Sequence, residues 1–185
     1  MVKIATHDSA TGEKPINLLS WLMIPFARTQ SKTIREQYEA GCRNFDIRVR
    51  KYKGIWHCAH GLYITKCTAV SIIEEINRFP QRCHVQLTYE GGECEEFKAF
   101  VDFLKGMFHS IIWGGIAYKY SKPGVKVEYH YIAQAEQGFE GGEQGFLPLD
   151  GRSWHTYLPI PWLWDRLYKR PHTFNEKAFT FVDFL

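Results

Sequence analysis

The chain has 185 residues, 45% of them hydrophobic and 16% aromatic, and carries a formal net charge of +3. That composition belongs to a globular chain with ample material for a core, and it excludes a disordered or collagen-like protein. The mild positive charge comes without a run of lysine or arginine, so it permits an anionic surface as partner and gives no argument for nucleic acid.

Five cysteines (42, 58, 67, 83 and 94) show no Cys-x-x-Cys spacing and read as free thiols in a reducing compartment rather than as a zinc site. The sequence has no run of about 18 apolar residues to span a bilayer, and it enters Val2-Lys3-Ile4-Ala5 without the apolar stretch of a signal peptide. The expectation is a single domain over residues 1–185. It would be cytoplasmic, or released without a visible signal peptide, and peripheral where it meets a membrane.

In chain order, Val2–Thr6 is a short apolar strand that stops at the polar turn Thr6-His7-Asp8-Ser9, placing His7 at its C-terminal end. Ile16 to Phe26 is apolar nearly all round and predicts a buried helical segment stopped near Pro25. Thr33-Ile34-Arg35-Glu36 fits a capping box, and Gly41 is placed to close the helix it opens. Cys42 to Arg50 then alternates with period two, Phe45, Ile47 and Val49 on one face and Asn44, Asp46, Arg48 and Arg50 on the other. Such a charged face belongs either to a solvated edge or to the mouth of a site. In the second case Asp46 and Arg48 are partners, because burying either alone is costly.

Ile55–Ala59 is a further strand, ending at His60-Gly61. Ser71-x-x-Glu74 predicts the start of a helix carrying Ile72, Ile73, Ile76 and Phe79, closed by Pro80. Cys83–Thr88 is a strand with Gln86, Thr88 and Glu90 on the face opposite Val85 and Leu87. After Gly91-Gly92, the carboxylates of Glu93, Glu95 and Glu96 suit the first turn of a helix, in which Phe97, Phe100, Val101 and Leu104 recur at helical spacing. Repeated strand–helix units predict an α/β fold with a parallel sheet. The second half is less patterned: a strand around Val125–Tyr129, a glycine-rich loop from Gln137 to Gly145, a proline-broken aromatic stretch from Trp154 to Tyr168, and a closing strand Phe179–Leu185 that holds Asp183.

His7, Asp46 with Arg48, His60, Glu90 and Asp183 thus each lie at or near the C-terminal end of a predicted strand, where α/β barrels and doubly wound folds build their sites. Three of these segments carry a family likeness: Thr6-His7-Asp8-Ser9, Gln37-x-x-x-Gly41-x-Arg43-x-Phe45-Asp46-Ile47-Arg48, and His60-Gly61-x-Tyr63. Together they resemble the X-domain core of the phosphatidylinositol-specific phospholipase C superfamily, nearest to its bacterial, metal-independent branch. The resemblance covers residues 4–104 and is joined by Phe181-Val182-Asp183-Phe184. Ala5 departs from the glycine of the family's Gly-Thr-His-Asp/Asn-Ser motif.

The resemblance implies a compact, distorted TIM-type (β/α) barrel, here with a shortened second half. It also implies a phosphoric diester hydrolase/lyase that cleaves a phosphatidylinositol-like or related lipid through a cyclic phosphate. His7 would then be general base and His60 general acid, with Arg48 gripping the phosphoryl oxygens. Asp46 would orient Arg48 or His60, Asp183 would orient His7, and Asp8 and Glu90 would complete the substrate-binding network. Arg48 stands where calcium works in the family's eukaryotic branch, and Asn44 takes a carboxylate position, so the resemblance implies neither metal nor cofactor. Asp46 with Glu90 is the pair left to hold a divalent ion weakly. The partner implied is a phospholipid or membrane surface, met by the segment around Trp21 and by the cluster Trp154, Tyr157, Trp162 and Trp164. The alternative is a catalytically silent barrel used for binding or structure, which the shortened second half favours.

Overall fold

The computed structural model describes residues 4–91, 94–120, 128–133, 160 and 180–182. Its organising strand is the alternating segment read from the sequence. Helix α3 (Ile34–Glu39) opens with the predicted capping box, in which Thr33 and Glu36 satisfy each other's backbone amides. Gly41 then takes φ 103°, a conformation only glycine adopts cheaply, and the chain turns straight into β2 (Cys42–Tyr52).

Strand β2 is long enough to have different neighbours along its two halves. Its first half pairs in parallel with β1 (Ile4–Thr6), Thr6 lying beside Phe45. Its second half runs antiparallel to β3 (Ile55–His60), which turns back into β4 (Tyr63–Thr68). On the other side β5 (His84–Tyr89) lies parallel to it, with Asp46 beside Gln86 and Arg48 beside Thr88. Parallel β6 (Ile112–Tyr120) and antiparallel β7 (Glu128–Ala133) follow, while β8 (Thr180–Val182) lies parallel to β1 on its far side. The sheet order is β4-β3-β2-β5-β6-β7, with β1 and β8 branching from β2. This is a mixed α/β sheet, and it is open: among the described residues no pairing joins β7 to β8.

Helices α4 (Ala69–Asn77) and α5 (Glu95–Met107) share the main core. Ile72, Ile73 and Ile76 of α4 and Phe97, Val101 and Leu104 of α5 are buried with Phe45, Ile47, Val49, Val85 and Leu87. The opposite face is buried as well. Asn44, Asp46, Arg48, Gln86 and Thr88 are all at most 3% exposed, so β2 is a central strand and the solvated-edge alternative falls.

Two local readings need correction. Helix α4 is capped by Thr68, whose Oγ1 accepts the Ser71 amide at 3.1 Å; Ser71 is the third helical residue, not the cap. The apolar stretch 16–26 forms α1 (Leu18–Leu22) and α2 (Ile24–Ala27), but it is not a buried segment. Leu18 is 71% exposed, Trp21 58%, and Leu19, Leu22 and Phe26 are also exposed. Helix α1 instead buries Ser20, whose Oγ accepts the Ile64 amide of β4 at 3.1 Å, so its polar side faces the protein and its apolar side faces out. Strands β4 and β6 had no reading in the sequence, and the strand placed around 125–129 is seen at Glu128–Ala133. All five cysteines are free thiols.

Candidate active site

Strand β1 delivers His7 and Asp8. Asp8 sits at φ 45°, ψ 49°, a left-handed conformation that is unusual for a residue other than glycine, before the 3₁₀ turn Ser9–Gly12. Its amide donates to Asp46 Oδ2 at 3.1 Å, which fastens the turn to β2. Two strand positions on from Asp46, on the same face, Arg48 reaches out of the sheet.

The guanidinium of Arg48 gathers the cluster. Its Nε contacts a carboxylate oxygen of Asp8 and lies 3.2 Å from Asp46 Oδ2; Nη1 lies 3.5 Å from Glu90 Oε1. Its Nη2 is 2.8 Å from His7 Nε2. Arginine only donates, so His7 Nε2 accepts and carries a lone pair, while His7 Nδ1 lies 3.4 Å from Asp8 Oδ2. The same argument fixes His60 at the end of β3. Its Nδ1 is 2.7 Å from the Ala27 carbonyl, which only accepts, so Nδ1 holds a proton. His60 Nδ1 also lies 3.3 Å from Asp8 Oδ2. One carboxylate oxygen therefore lies against both imidazoles.

Glu90, just past β5, joins the His60 turn to two cations. Oε2 accepts the Gly61 amide, and Oε1 lies 2.9 Å from Lys119 Nζ on β6. Lys119 is a member of the cluster that the sequence reading missed. Its signal is faint, a single charge in Tyr118-Lys119-Tyr120 at the end of an otherwise apolar strand.

Burial pulls all three carboxyls toward the neutral form, and their neighbours decide the outcome. For Asp8, burial is outweighed by Arg48, His60, His7 and Lys119, which together hold it well below the usual carboxylate range. For Glu90, His60, Lys119 and Arg48 likewise overcome burial and lower it. For Asp46, burial wins over Arg48, with the charge of Asp8 adding to it, and the carboxyl is pushed up. The neighbours thus favour the ionised form of Asp8 and Glu90, while burial disfavours it at Asp46.

Two donor sets have metal-like spacing, His7 with Asp8 and Asp46, and Asp8 with His60 and Glu90. The first encloses the Arg48 contacts, so an added cation there meets a fixed one. In the second, His60 Nδ1 is already committed to the Ala27 carbonyl, and both oxygens of Glu90 carry donors.

Of the residues singled out in the sequence, His7, Asp8, Asp46, Arg48, His60 and Glu90 come together in this cluster. Asp46 touches Arg48, but the carboxylate beside the histidines is that of Asp8. Asp183 lies outside the described residues, as do Trp154, Tyr157, Trp162 and Trp164; β8 is described up to Val182, opposite Thr6.

Neither a family model nor a curated protein matches the sequence. Among solved structures the chain is similar to the phosphatidylinositol-specific phospholipase C of Listeria monocytogenes, with a TM-score of 0.50 and 17% identity over 75% of this chain and 59% of that one. It is also similar to a mutant of the Staphylococcus aureus enzyme of that name, with a TM-score of 0.48 and 17% identity over 72% and 52% of the two chains. The chain therefore has a fold like that of bacterial phosphatidylinositol-specific phospholipase C and covers less than two thirds of the Listeria enzyme's length.

Proposed function

We propose that this protein is a metal-independent phosphodiesterase of the phospholipase C type, and that its sheet closes into a short (β/α) barrel around the cluster. The observation that carries the reading is the placement of Asp8 Oδ2 against both His7 and His60, with the Arg48 guanidinium in the same cluster. That arrangement provides a base, an acid and a fixed cation at one point, the set that in-line attack of a neighbouring hydroxyl on phosphorus requires.

In this reading an entering phosphate draws Arg48 Nη2 off His7 Nε2, because a phosphoryl group offers the planar fork two acceptors at once. The freed Nε2 lone pair takes the proton of the attacking hydroxyl as the new P–O bond forms. The bond to the leaving oxygen breaks as His60 Nε2 gives up its proton. The products are a cyclic phosphate and the released alcohol, with His7 charged and His60 neutral. Asp8 orients both rings, Asp46 and Glu90 hold Arg48, Lys119 is the second cation, and Asp183 is assigned to His7.

The substrate we assign is a phospholipid in a surface. Residues 14–35 carry Lys14, Arg28, Lys32 and Arg35 and no carboxylate, and the same stretch exposes Leu18, Leu19, Trp21, Leu22 and Phe26. An exposed apolar stretch whose only charges in sequence are positive suits an anionic bilayer. Among the described residues no helix is long and apolar enough to cross one.

The test is incubation with phosphatidylinositol vesicles, with and without chelator, watching for inositol cyclic phosphate. Product in both arms is expected. Product only without chelator overturns metal independence. No product from any of several lipid or glycerol phosphodiesters overturns the enzyme reading in favour of the silent barrel.

A further inference from the structure

Both histidines are held from the same short segment, and it belongs to neither of their strands. At the exit of α2 the Ala27 carbonyl accepts His60 Nδ1–H at 2.7 Å. Two and three residues later Thr29 Oγ1 donates to the His7 carbonyl at 2.9 Å and Gln30 Nε2 donates to it at 3.2 Å. Thr11 ties the knot from the other side. Its Oγ1 donates to the Asp8 carbonyl at 2.8 Å and accepts the amides of Thr29 and Gln30 at 3.0 and 3.1 Å. Thr11, Thr29 and Gln30 are buried, whereas α2 itself exposes Phe26.

Threonine and glutamine fully buried in a loop ask for a reason, since turns usually lie at the surface. Here every one of these bonds ends on the backbone of His7 or Asp8, or on the strap itself. We infer that residues 27–30, with Thr11, are a positioning clamp that sets the spacing of the two imidazoles and fixes the tautomer of His60. The clamp rests on the phosphodiesterase reading for its purpose but not for its geometry. The β1 and β3 strands pair with different halves of β2 and have no mutual pairing among the described residues, so the sheet alone leaves the separation of His7 and His60 loosely set. A group displaced by about 1 Å loses on the order of 10²-fold in rate, which is what such a clamp prevents.

The experiment uses the full chain labelled with ¹⁵N-histidine and the variants Thr29→Val, Thr29→Ser and Gln30→Leu. In the wild type above pH 8, His60 should show the Nδ1–H tautomer. Thr29→Val and Gln30→Leu should raise the Nε2–H fraction on His60 and lower kcat on the order of tenfold with KM within about twofold, while Thr29→Ser keeps both near wild type. Where Thr29→Val fails to fold, Gln30→Leu, which removes one donor, carries the test. An Nε2–H tautomer in the wild type, or unchanged spectra and kcat in both variants, overturns the clamp. Should the wild type cleave no phosphodiester, the proposed function falls and the imidazole spectra alone decide the clamp.

Discussion

The face of β2 that bears Asp46 and Arg48 and the outer face of α1–α2 break the usual rule of burial in opposite directions. The first packs three carboxyls, a guanidinium and two imidazoles together, with Arg48 only 3% exposed. The second leaves a tryptophan, a phenylalanine and three leucines in water. Each arrangement is expensive by itself: buried charges lose hydration, and exposed apolar side chains forgo burial worth about 1.5–3 kcal/mol each. They also sit side by side, joined by residues 27–30. The difference teaches where each cost is offset. The charged face is compensated inside the protein, by mutual pairing, whereas the apolar face stays exposed among the described residues, and the proposed lipid surface would supply its compensation.

The hardest blow to the first region is removal of its cation. Arg48→Met leaves Asp8 and Glu90 charged, buried and short of a partner, and should cost about 3–5 kcal/mol in urea denaturation together with all measurable phosphodiesterase activity. Arg48→Lys should recover much of the stability but little of the activity, because a point charge does not reproduce the fork. Equal activity in Arg48→Lys and wild type would remove Arg48 from the phosphate. His7→Ala and His60→Ala come next, each expected to cost about 10²–10⁴-fold in kcat/KM with a small change in stability.

Asp8 and Asp46 sharpen the comparison, since they lie on the same guanidinium yet are shifted in opposite senses. Asp8 is lowered from 3.8, so its stabilising effect is present above that pH and fades as pH falls below it. Asp46 is raised from 3.8, so its ionisation costs stability as pH rises through and above that value. Asp8→Asn should therefore be damaging at both pH values, approaching about 3–5 kcal/mol at pH 7 and only somewhat less at pH 3. Its contribution is lost only as pH falls through the strongly lowered folded value. Asp46→Asn should fare better, relative to wild type, at pH 7 than at pH 3, with a net change near 1 kcal/mol. Urea midpoints at the two pH values decide it; parallel behaviour of the two variants would mean that burial does not separate them.

How much of this was legible from sequence follows the same division. The alternation from Phe45 to Val49 and the capping box at Thr33 were readable because each depends on residues close in the chain. The cluster of His7, Asp46, Arg48, His60 and Glu90 was readable because His7, His60 and Glu90 lie at or just past strand ends, Asp46 and Arg48 share the alternating face of β2, and three of these segments carry the family likeness. Lys119 was not, because only the pairing of β5 with β6 brings it to Glu90. The role of Asp8 between the two rings was not, because it depends on a left-handed turn. Thr68 was passed over as a cap because Ser71-x-x-Glu74 satisfies the same pattern three residues later. The orientation of α1 was misread for a plainer reason. An apolar stretch predicts burial unless something shows which side faces in, and here the hydroxyl of Ser20 does that through Ile64.

The apolar face supplies the smaller effects. Trp21→Ala should weaken partition onto anionic vesicles on the order of tenfold, less than the full burial value of the ring because Trp21 is already partly covered. Sedimentation with vesicles measures it, and an unchanged partition would move the contact elsewhere.

The smallest expected effect is the most telling about α1. The double variant Leu18→Ser with Leu22→Ser removes two large apolar side chains from a helix whose sequence pattern predicts burial. Were the pattern right, each substitution would open a cavity and cost about 2–5 kcal/mol. In the structure both leucines stand more than half exposed, so the loss reduces to helix propensity and surface effects, about 0.5 kcal/mol or less in all. Ser20→Ala, by contrast, takes away the hydroxyl that receives the buried Ile64 amide and should cost about 1–3 kcal/mol. The single loss of one hydroxyl should thus outweigh the loss of two leucines. A thermal denaturation series on the three proteins gives that ranking, and the reverse order would place the apolar side of α1 in the core.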